Sequence, residues 1–577
     1  MNLPTAPAPE DLENNLLTLI SERILETGDG FSPDSDLYAA GLDSMAIMQL
    51  LLVLEEEFHV SIPVESVSRK NFSTVRTIAD LLRTKLGPAE TAPAPEETPA
   101  PPVAAVAPVI PPSVNGTRPE PAKRTTCNMT FEKLPMRGCD YFVLGFDTLS
   151  RKAGQGGHRA HSILVLDHVP DLARLRSLLA RAAEVYPMLS ALLKRNFFFG
   201  IPYWVPSAEP AVPELRLFSE QGSAGQLLAE GGQPCTDIHS QMEAVINDPM
   251  PRTGAKVWPK ARFSLFETRD GTVILMFSWS HLMMDGVGAE FFLQDLQRLG
   301  SDSSDEPIPG VDSALDDETA TWKERWITAR PIVQFFRKLS QHTISCLGSR
   351  TPKKGVTRFL VHTLTEEQTR KANERCASLC GGLINLPFYL ACSMRAHDRV
   401  FAHRGLVPAS HTCNVPVQRR RKGARGPIFQ NHLTMFFGVL ERDQIGSIET
   451  ATASLLEQQA RFLKERLGES LNDLMHSMSV IPAGLYMRFV QLQMKGPFAS
   501  FFHSHTGEFA SGMNEFLGAK VVNAYHVPGI ATPPGTGIFC NEKNGRLIVT
   551  MCWHDGALDA TERQLMLDQF LTDLGAA

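Results

Sequence analysis

The chain has no run of about eighteen apolar residues, so no stretch of it reads as a membrane-spanning helix. Its first fifteen residues hold prolines and acids but neither a basic start nor an apolar stretch. That pattern argues against a secretory signal and for the cytoplasm. No Cys-x-x-Cys pair occurs among the ten cysteines, which are scattered at 127, 139, 235, 346, 376, 380, 392, 413, 540 and 552. Cys376 and Cys380 lie one helical turn apart, but no paired His or Cys completes a metal set. Free thiols in a reducing compartment are expected, with neither a disulfide framework nor a metal. A Gly-x-Ser-x-Gly elbow near a catalytic triad is also missing, which removes that route to a serine nucleophile.

Residues 87–126 lack every aromatic residue and hold 11 prolines with many alanines. Such a stretch buries too little apolar surface to offset the entropy of ordering, and it reads as a disordered, semi-extended linker. Charge divides at the same place. Residues 1–86 contain 14 acids and 6 bases, a net of 6 − 14 = −8, whereas the whole chain is −7, so the remainder is +1. The excess acidity of the first segment disfavours nucleic acid as its partner. It would steer the segment toward basic patches on enzymes.

Before the linker, Leu16, Ile20 and Ile24, then Ile47, Leu51, Leu54 and Phe58, then Val75, Ile78 and Leu82 recur at helical spacing. They predict a small all-α bundle over 1–86. After the linker, helix-like and strand-like patterns mix. Leu172–Leu193, Thr319–Leu347, Leu383–His403 and Ala560–Leu574 read as helices, and Thr272–Trp279 and Arg546–Cys552 as strands. About 450 residues exceed one core, so two lobes are expected, 127–347 and 348–577.

Two motifs carry chemistry. In Gly41-Leu42-Asp43-Ser44-Met45 a serine stands where loop signals stop and an apolar-periodic helix begins. Taken alone it reads as a helix cap. With Asp34, Asp36, Leu37 and the acidic run Glu55-Glu56-Glu57-Phe58 around it, the segment 10–86 resembles acyl and peptidyl carrier proteins along its length. The resemblance implies a four-helix carrier bundle whose Ser44 holds 4′-phosphopantetheine. A phosphodiester there would meet unpaired N–H groups and the positive end of the helix dipole. Asp34 and Asp36 read as turn caps.

In Ser280-His281-Leu282-Met283-Met284-Asp285-Gly286 a buried strand runs into a histidine, followed four residues later by Asp285 and then by a helix. A lone His of this kind is often structural, and the motif arises by chance. A neutral imidazole beside an acceptor OH or NH can nonetheless take its proton. Asp285 is too close in sequence to orient His281 and reads as a loop holder reaching an arginine. Gly286 leaves room for a substrate arm.

Residues 130–575 resemble the superfamily of chloramphenicol acetyltransferase, peptide-synthetase condensation domains, plant alcohol acyltransferases and bacterial wax ester synthases. Asp140 and Pro187-Met188-Leu189 look like its opening elements. Ser280–Gly286 looks like its HHxxxDG, with Ser280 in place of the first histidine. Val415-Pro416-Val417-Gln418-Arg419-Arg420 with Asn431 looks like its second lobe. The resemblance implies a two-lobed α/β acyltransferase with His281 as general base, Arg420 as partner of Asp285, and Ser504 of Ser504-His505-Thr506-Gly507 as a donor to the developing oxyanion. It implies neither a metal nor an acyl-enzyme. A solvated basic strip is the other reading of Arg419–Arg421. The Asp-Phe-Gly-Trp-Gly loop of the plant and acetyltransferase branches is missing, and Trp553-His554-Asp555-Gly556 reads as a turn. His158, His161, His432 and His554 read as structural or surface residues. Phe197–Phe199 and Phe501-Phe502 read as core or as tunnel lining.

The expected protein is a carrier (1–86), a linker (87–126) and an acyltransferase moving a thioester-bound acyl group to an alcohol or amine. Its expected partners are a phosphopantetheinyl transferase and an acyl-loading ligase or synthase. Amide-forming condensation, or a non-catalytic docking scaffold, is the alternative.

Overall fold

In the computed structural model, the structure describes residues 9–28, 30–42, 44–58, 60, 62, 66, 70–86, 127–128, 131–196, 199–251, 259–299, 307–312, 321–348, 355–381, 384–421, 423–494 and 497–577. The 87–126 segment, Asp43 and Phe197-Phe198 therefore lie outside the described residues. Among the described residues no helix is long and apolar enough to cross a membrane.

The first domain is helical, with helices Pro9–Arg23, Ser44–Phe58 and Val75–Leu86. Leu16, Ile20, Ile24, Ile47, Leu50, Leu54, Val75, Ile78 and Leu82 form its core at the helical repeat. Leu51 departs from expectation. It is half-buried and packs both against this core and against that of the second lobe.

The rest is a mixed α/β domain built on two large sheets, with a three-stranded and a two-stranded sheet beside them among the described residues. The first has seven strands in the order Glu515–Phe516, Ala519–Val527, Arg159–Leu166, Val273–Ser280, Ala261–Glu267, Glu214–Glu220, Gln233–Cys235. The second has six, in the order Thr357–Thr363, Arg546–His554, Thr536–Lys543, Phe501–Glu508, Ser410–Gln418, Leu433–Glu441. The late strand Ala519–Val527 crosses back to the first sheet, where Tyr525 faces Ile163 and Ala524 faces Leu164 in antiparallel register. An apolar cluster joins the two sheets across the lobe boundary, with Ile163, Met276 and Tyr525 from one and Phe359, Phe539, Ile548 and Cys552 from the other. Burying apolar area from both lobes favours a fixed cleft between them.

Two predicted helices are shorter than expected. The pattern from Leu172 to Leu193 is helical only to Val185, where Pro187 interrupts the hydrogen-bond ladder, and Leu192–Lys194 is a strand. The stretch ending at Leu347 contains two helices, Trp322–Thr328 and Arg330–Leu339, the second with a proline in its first turn, where the missing N–H is harmless. The helix Leu386–His403 and the closing helix Ala560–Leu574 fall where the apolar spacing predicts them.

Candidate active site

The strand Val273–Ser280 lies between two neighbours in the first sheet, so its end is held on both sides. Phe277 stacks against Phe263, Trp279 and Phe292, with ring centroids at 4.8, 5.2 and 5.3 Å. Beyond the strand, the Trp279 indole N–H donates to the Met284 carbonyl at 3.0 Å, and Gln430 N–H donates to the Met283 carbonyl at 2.7 Å. These bonds fold the His281–Asp285 segment into one tight loop.

His281 is half-buried at the start of that loop. Its backbone N–H donates to the His158 carbonyl at 3.1 Å, and the two imidazoles stack with centroids 5.1 Å apart. Nδ1 of His281 lies 3.0 Å from Oδ1 of Asn431. The orientation of that amide is settled by its other end. Asn431 Nδ2 donates to Asp140 Oδ1 and to the His281 carbonyl, both at 3.0 Å, and a backbone carbonyl can only accept. Oδ1 is thus the acceptor, Nδ1 carries the proton, and Nε2 is left with its lone pair. Burial pushes the His281 pKa down, against smaller upward pulls from its backbone, Asp285 and Asn431, and the net shift is downward. The imidazole is therefore neutral at pH 7.

Asp140 sits in the first turn of the helix Gly138–Lys152 and is fully buried. Its Oδ2 accepts from Arg137 N–H at 3.1 Å and its Oδ1 from Asn431 N–H at 2.8 Å. Burial pushes this carboxyl up, against the hydrogen bonds from Asn431 and Arg137. The opening helix of the first lobe and the 431 segment of the second thus meet at His281.

Asp285 holds the loop rather than the histidine. It caps the helix Gly286–Arg298, accepting from Gly288 N–H at 2.8 Å. It also accepts from Arg420 Nη1 at 2.9 and 2.7 Å, and from His432 N–H at 2.9 Å. Burial alone would push this carboxyl up, but Arg420, His432 and the hydrogen bonds outweigh it and hold it below the usual range. Arg420 also donates to the Pro427 carbonyl from Nε and Nη2, at 3.0 and 2.8 Å. Gly288 is required by packing, since a Cβ there would lie 2.0 Å from the Ile428 carbonyl oxygen. Gly286 faces open space, where an added Cβ would meet nothing within 4 Å.

Ser504 lies mid-strand in Phe501–Glu508 and is half-buried. By strand alternation it shares a face with Phe502. Phe502 touches Phe146, Phe146 touches His158, and His158 stacks on His281. Ser504 thus faces the cleft between the lobes, although among the described residues no hydrogen bond joins it to His281. The opposite face carries His503, bonded to Ser393 at 3.0 Å, and His505, stacked on Tyr389 at 4.2 Å. Phe501 is core, stacked on His397 at 3.9 Å. His554 ends its strand bonded to Thr532 and to the Ile530 carbonyl, and the turn expected after it follows.

In the first domain, Ser44 is the first residue of a 15-residue helix with no acid in its first turn. Gly41, at φ +103°, shapes the turn before it. The start of a helix, where the dipole is positive, suits a phosphodiester, so this position fits phosphopantetheine.

Sequence patterning missed the role of Asn431 and Asp140 at the histidine, and the packing of His158 against it. Both asparagine and aspartate stood in segments already singled out, but nothing local indicated that they meet.

Residues 14–82 match the family described as phosphopantetheine attachment site. Over 55 residues the chain is 40% identical to the aminoacyl carrier protein of Agrobacterium fabrum, covering 10% of this chain and 66% of that protein. It is 33% identical to aminoacyl carrier protein 1 of Bradyrhizobium diazoefficiens, covering 14% of this chain and 93% of the relative. In fold, it is similar to a trichothecene 15-O-acetyltransferase from Fusarium sporotrichioides, with TM-score 0.54, 14% identity, and coverage of 77% and 95% of the two chains. It is likewise similar to the first condensation domain of the calcium-dependent antibiotic synthetase, with TM-score 0.55, 14% identity, and coverage of 78% and 96%. The epimerization domain of the third module of tyrocidine synthetase B gives TM-score 0.55 at 14% identity, over 79% and 98%. Through its first domain the chain belongs to the phosphopantetheine-attachment carrier family, and that carrier is followed by a domain with the fold of condensation domains and acyltransferases.

Proposed function

We propose that this protein transfers an acyl group from a carrier-bound thioester to an alcohol or amine, with His281 as general base. The observation that carries the reading is the bond from His281 Nδ1 to Asn431, which leaves Nε2 bare, neutral and at the cleft between two lobes. Phosphopantetheine on Ser44 supplies a thiol that holds the acyl group as a thioester.

The residues of the chain do the rest. His281 Nε2 takes the proton of the acceptor O–H or N–H as that atom bonds to the thioester carbonyl carbon. The carbon–sulfur bond then breaks, and the sulfur recovers the proton from Nε2. Ser504, on the cleft face, donates to the oxygen that gains charge. Asp285 and Arg420 keep the loop closed, and Asn431 with Asp140 keeps the imidazole in one tautomer and orientation. A pantetheinyl transferase must modify Ser44, and a ligase or synthase must load it.

The test is single-turnover transfer from the acyl-loaded protein to a panel of amines and long-chain alcohols. Replacement of His281 by Ala should slow the responsive acceptor by ~10²–10⁴-fold. Equal rates for the two proteins would make the histidine structural and favour the docking-scaffold reading.

A further inference from the structure

Five cations crowd residues 419–425: Arg419, Arg420, Arg421, Lys422 and Arg425. Only Arg420 is used at the site, where it holds Asp285. Arg419, Arg421 and Arg425 are exposed. The Arg420 guanidinium ties this segment to the Pro427 carbonyl, at 3.0 and 2.8 Å.

The outer side of this loop meets the first domain. Arg421 Nη1 donates to the Ser21 carbonyl at 3.3 Å, and Nη2 stands 4.0 Å from the Glu26 carboxylate. Gly423, at φ +80°, brings the backbone so close that a Cβ would sit 2.9 Å from the carbonyl oxygens of both Ala40 and Glu26. Ala40 belongs to the turn that leads into Ser44. Alongside, the helix Ile448–Lys464 packs on the helix Ser44–Phe58. Leu51 of the latter explains itself here, since it is the residue whose side chain reaches the second lobe's core.

We infer that the loop Arg419–Gly426 and the helix Ile448–Lys464 form the docking surface for this chain's own carrier in its donor pose, so that the acyl group reaches His281 in cis. The inference rests on the acyl-transfer reading and names its donor. Three independent features of the contact suit this occupant. The first 86 residues carry a net charge of −8, opposite to the arginine-rich loop. Gly423 admits the two carrier carbonyls at a distance that a side chain would forbid. The carrier helix that faces the surface is the one that begins at Ser44. A single exposed ion pair at 4.0 Å contributes little, but covalent tethering raises the local concentration, so weak complementary contacts suffice. The same loop faces the carrier on one side and anchors Asp285 on the other, which places the docking surface beside the catalytic loop.

The test uses the full-length, phosphopantetheinylated protein and three variants: Arg421→Glu, Glu26→Arg and the double exchange. None of these residues belongs to the catalytic machinery. Hydrogen–deuterium exchange of peptides spanning 419–426 and 40–58 is measured first and needs no substrate. Each single reversal should raise exchange in both peptides, and the double exchange should restore it. Single-turnover transfer is then followed from an acetyl group loaded on Ser44, and separately from free acetyl-N-acetylcysteamine, which needs no docking. Arg421→Glu should slow the loaded donor by about fivefold or more at low salt and leave the free thioester unchanged. Coincident exchange in all four proteins would overturn the docking surface. Altered exchange with equal transfer rates would overturn delivery in cis. If the wild-type protein transfers from neither donor, the acyl-transfer reading fails, while the exchange result still decides whether the carrier docks here.

Discussion

Asn431 accepts the Nδ1 proton of His281 through Oδ1 at 3.0 Å, while its own amide nitrogen is spent on Asp140 and on the His281 carbonyl. An asparagine so placed has no freedom to flip, and the histidine it faces has no choice of tautomer. Replacement by Leu should leave Nδ1 and the Asp140 oxygen without this partner. We expect transfer to slow by ~10²-fold, within the worth of positioned proton transfer, and stability to fall by about 1–3 kcal/mol for the buried groups left unpaired. Nitrogen NMR of His281 checks the cause directly. Nδ1 should carry the proton in the wild type, and a wild-type spectrum with the proton on Nε2 would defeat the assignment.

A second expectation concerns acid. Burial lowers the pKa values of His397, His432 and His503 to about 3, and those of His505, His526 and His554 to about 4. In the unfolded chain these groups titrate near pH 6.5. Between about pH 6.5 and pH 4 the unfolded state therefore binds more protons than the folded one, and stability falls as pH falls through that window. Above pH 7 the effect is gone. Thermal melting of the α/β domain should drop steeply from pH 7 toward pH 5. A melting temperature unchanged from pH 7.5 to pH 5 would show that these histidines are accessible to protons when folded.

The carrier assignment has its own measurement. Incubation with coenzyme A and a promiscuous pantetheinyl transferase should add the mass of one arm, and Ser44→Ala should add none. A modified Ser44→Ala protein would move the attachment site elsewhere.

The parts of this architecture that were readable in the sequence are those written locally. Leu16, Ile20 and Ile24 mark a helix because their spacing matches its turn, and the run from Thr272 to Trp279 marks a strand because its short, nearly continuous apolar stretch suits one covered on both faces, as Val273–Ser280 is for all but Ile274. His281, Asp285 and Gly286 stand out because they share one short loop. The strand Ala519–Val527 looks alike whichever sheet it joins, so its return to the first sheet was not legible. Nor was the stacking of His158 on His281, because adjacency across strands leaves no mark on either segment. Leu51 looked like one more core position of its helix, since periodicity reports an apolar face without saying which core covers it.

The last prediction separates chemistry from architecture at the loop. Asp285 and Arg420 are both buried, and their oxygens and nitrogen lie 2.7–2.9 Å apart. Asp285→Asn keeps the shape but strands the guanidinium, which should cost about 3–5 kcal/mol, as when one partner of a buried pair is removed. His281→Ala removes a half-buried ring, and its loss should alter melting far less while abolishing most transfer. The two variants should thus fall on opposite corners of a plot of melting temperature against rate. Loading of Ser44 should be normal in both, because that reaction belongs to the other domain. A double change, Asp285→Leu with Arg420→Met, removes both charges together and should recover part of the stability lost by Asp285→Asn, since buried pairs are often replaceable by apolar groups of similar volume. It should not recover activity fully, because the Leu side chain cannot accept from Gly288 and His432, and the loop that carries His281 would lose its cap. If Asp285→Asn instead melted like the wild type and transferred as slowly as His281→Ala, the aspartate would be acting on the reaction itself, and the separation of roles drawn here would have to be abandoned.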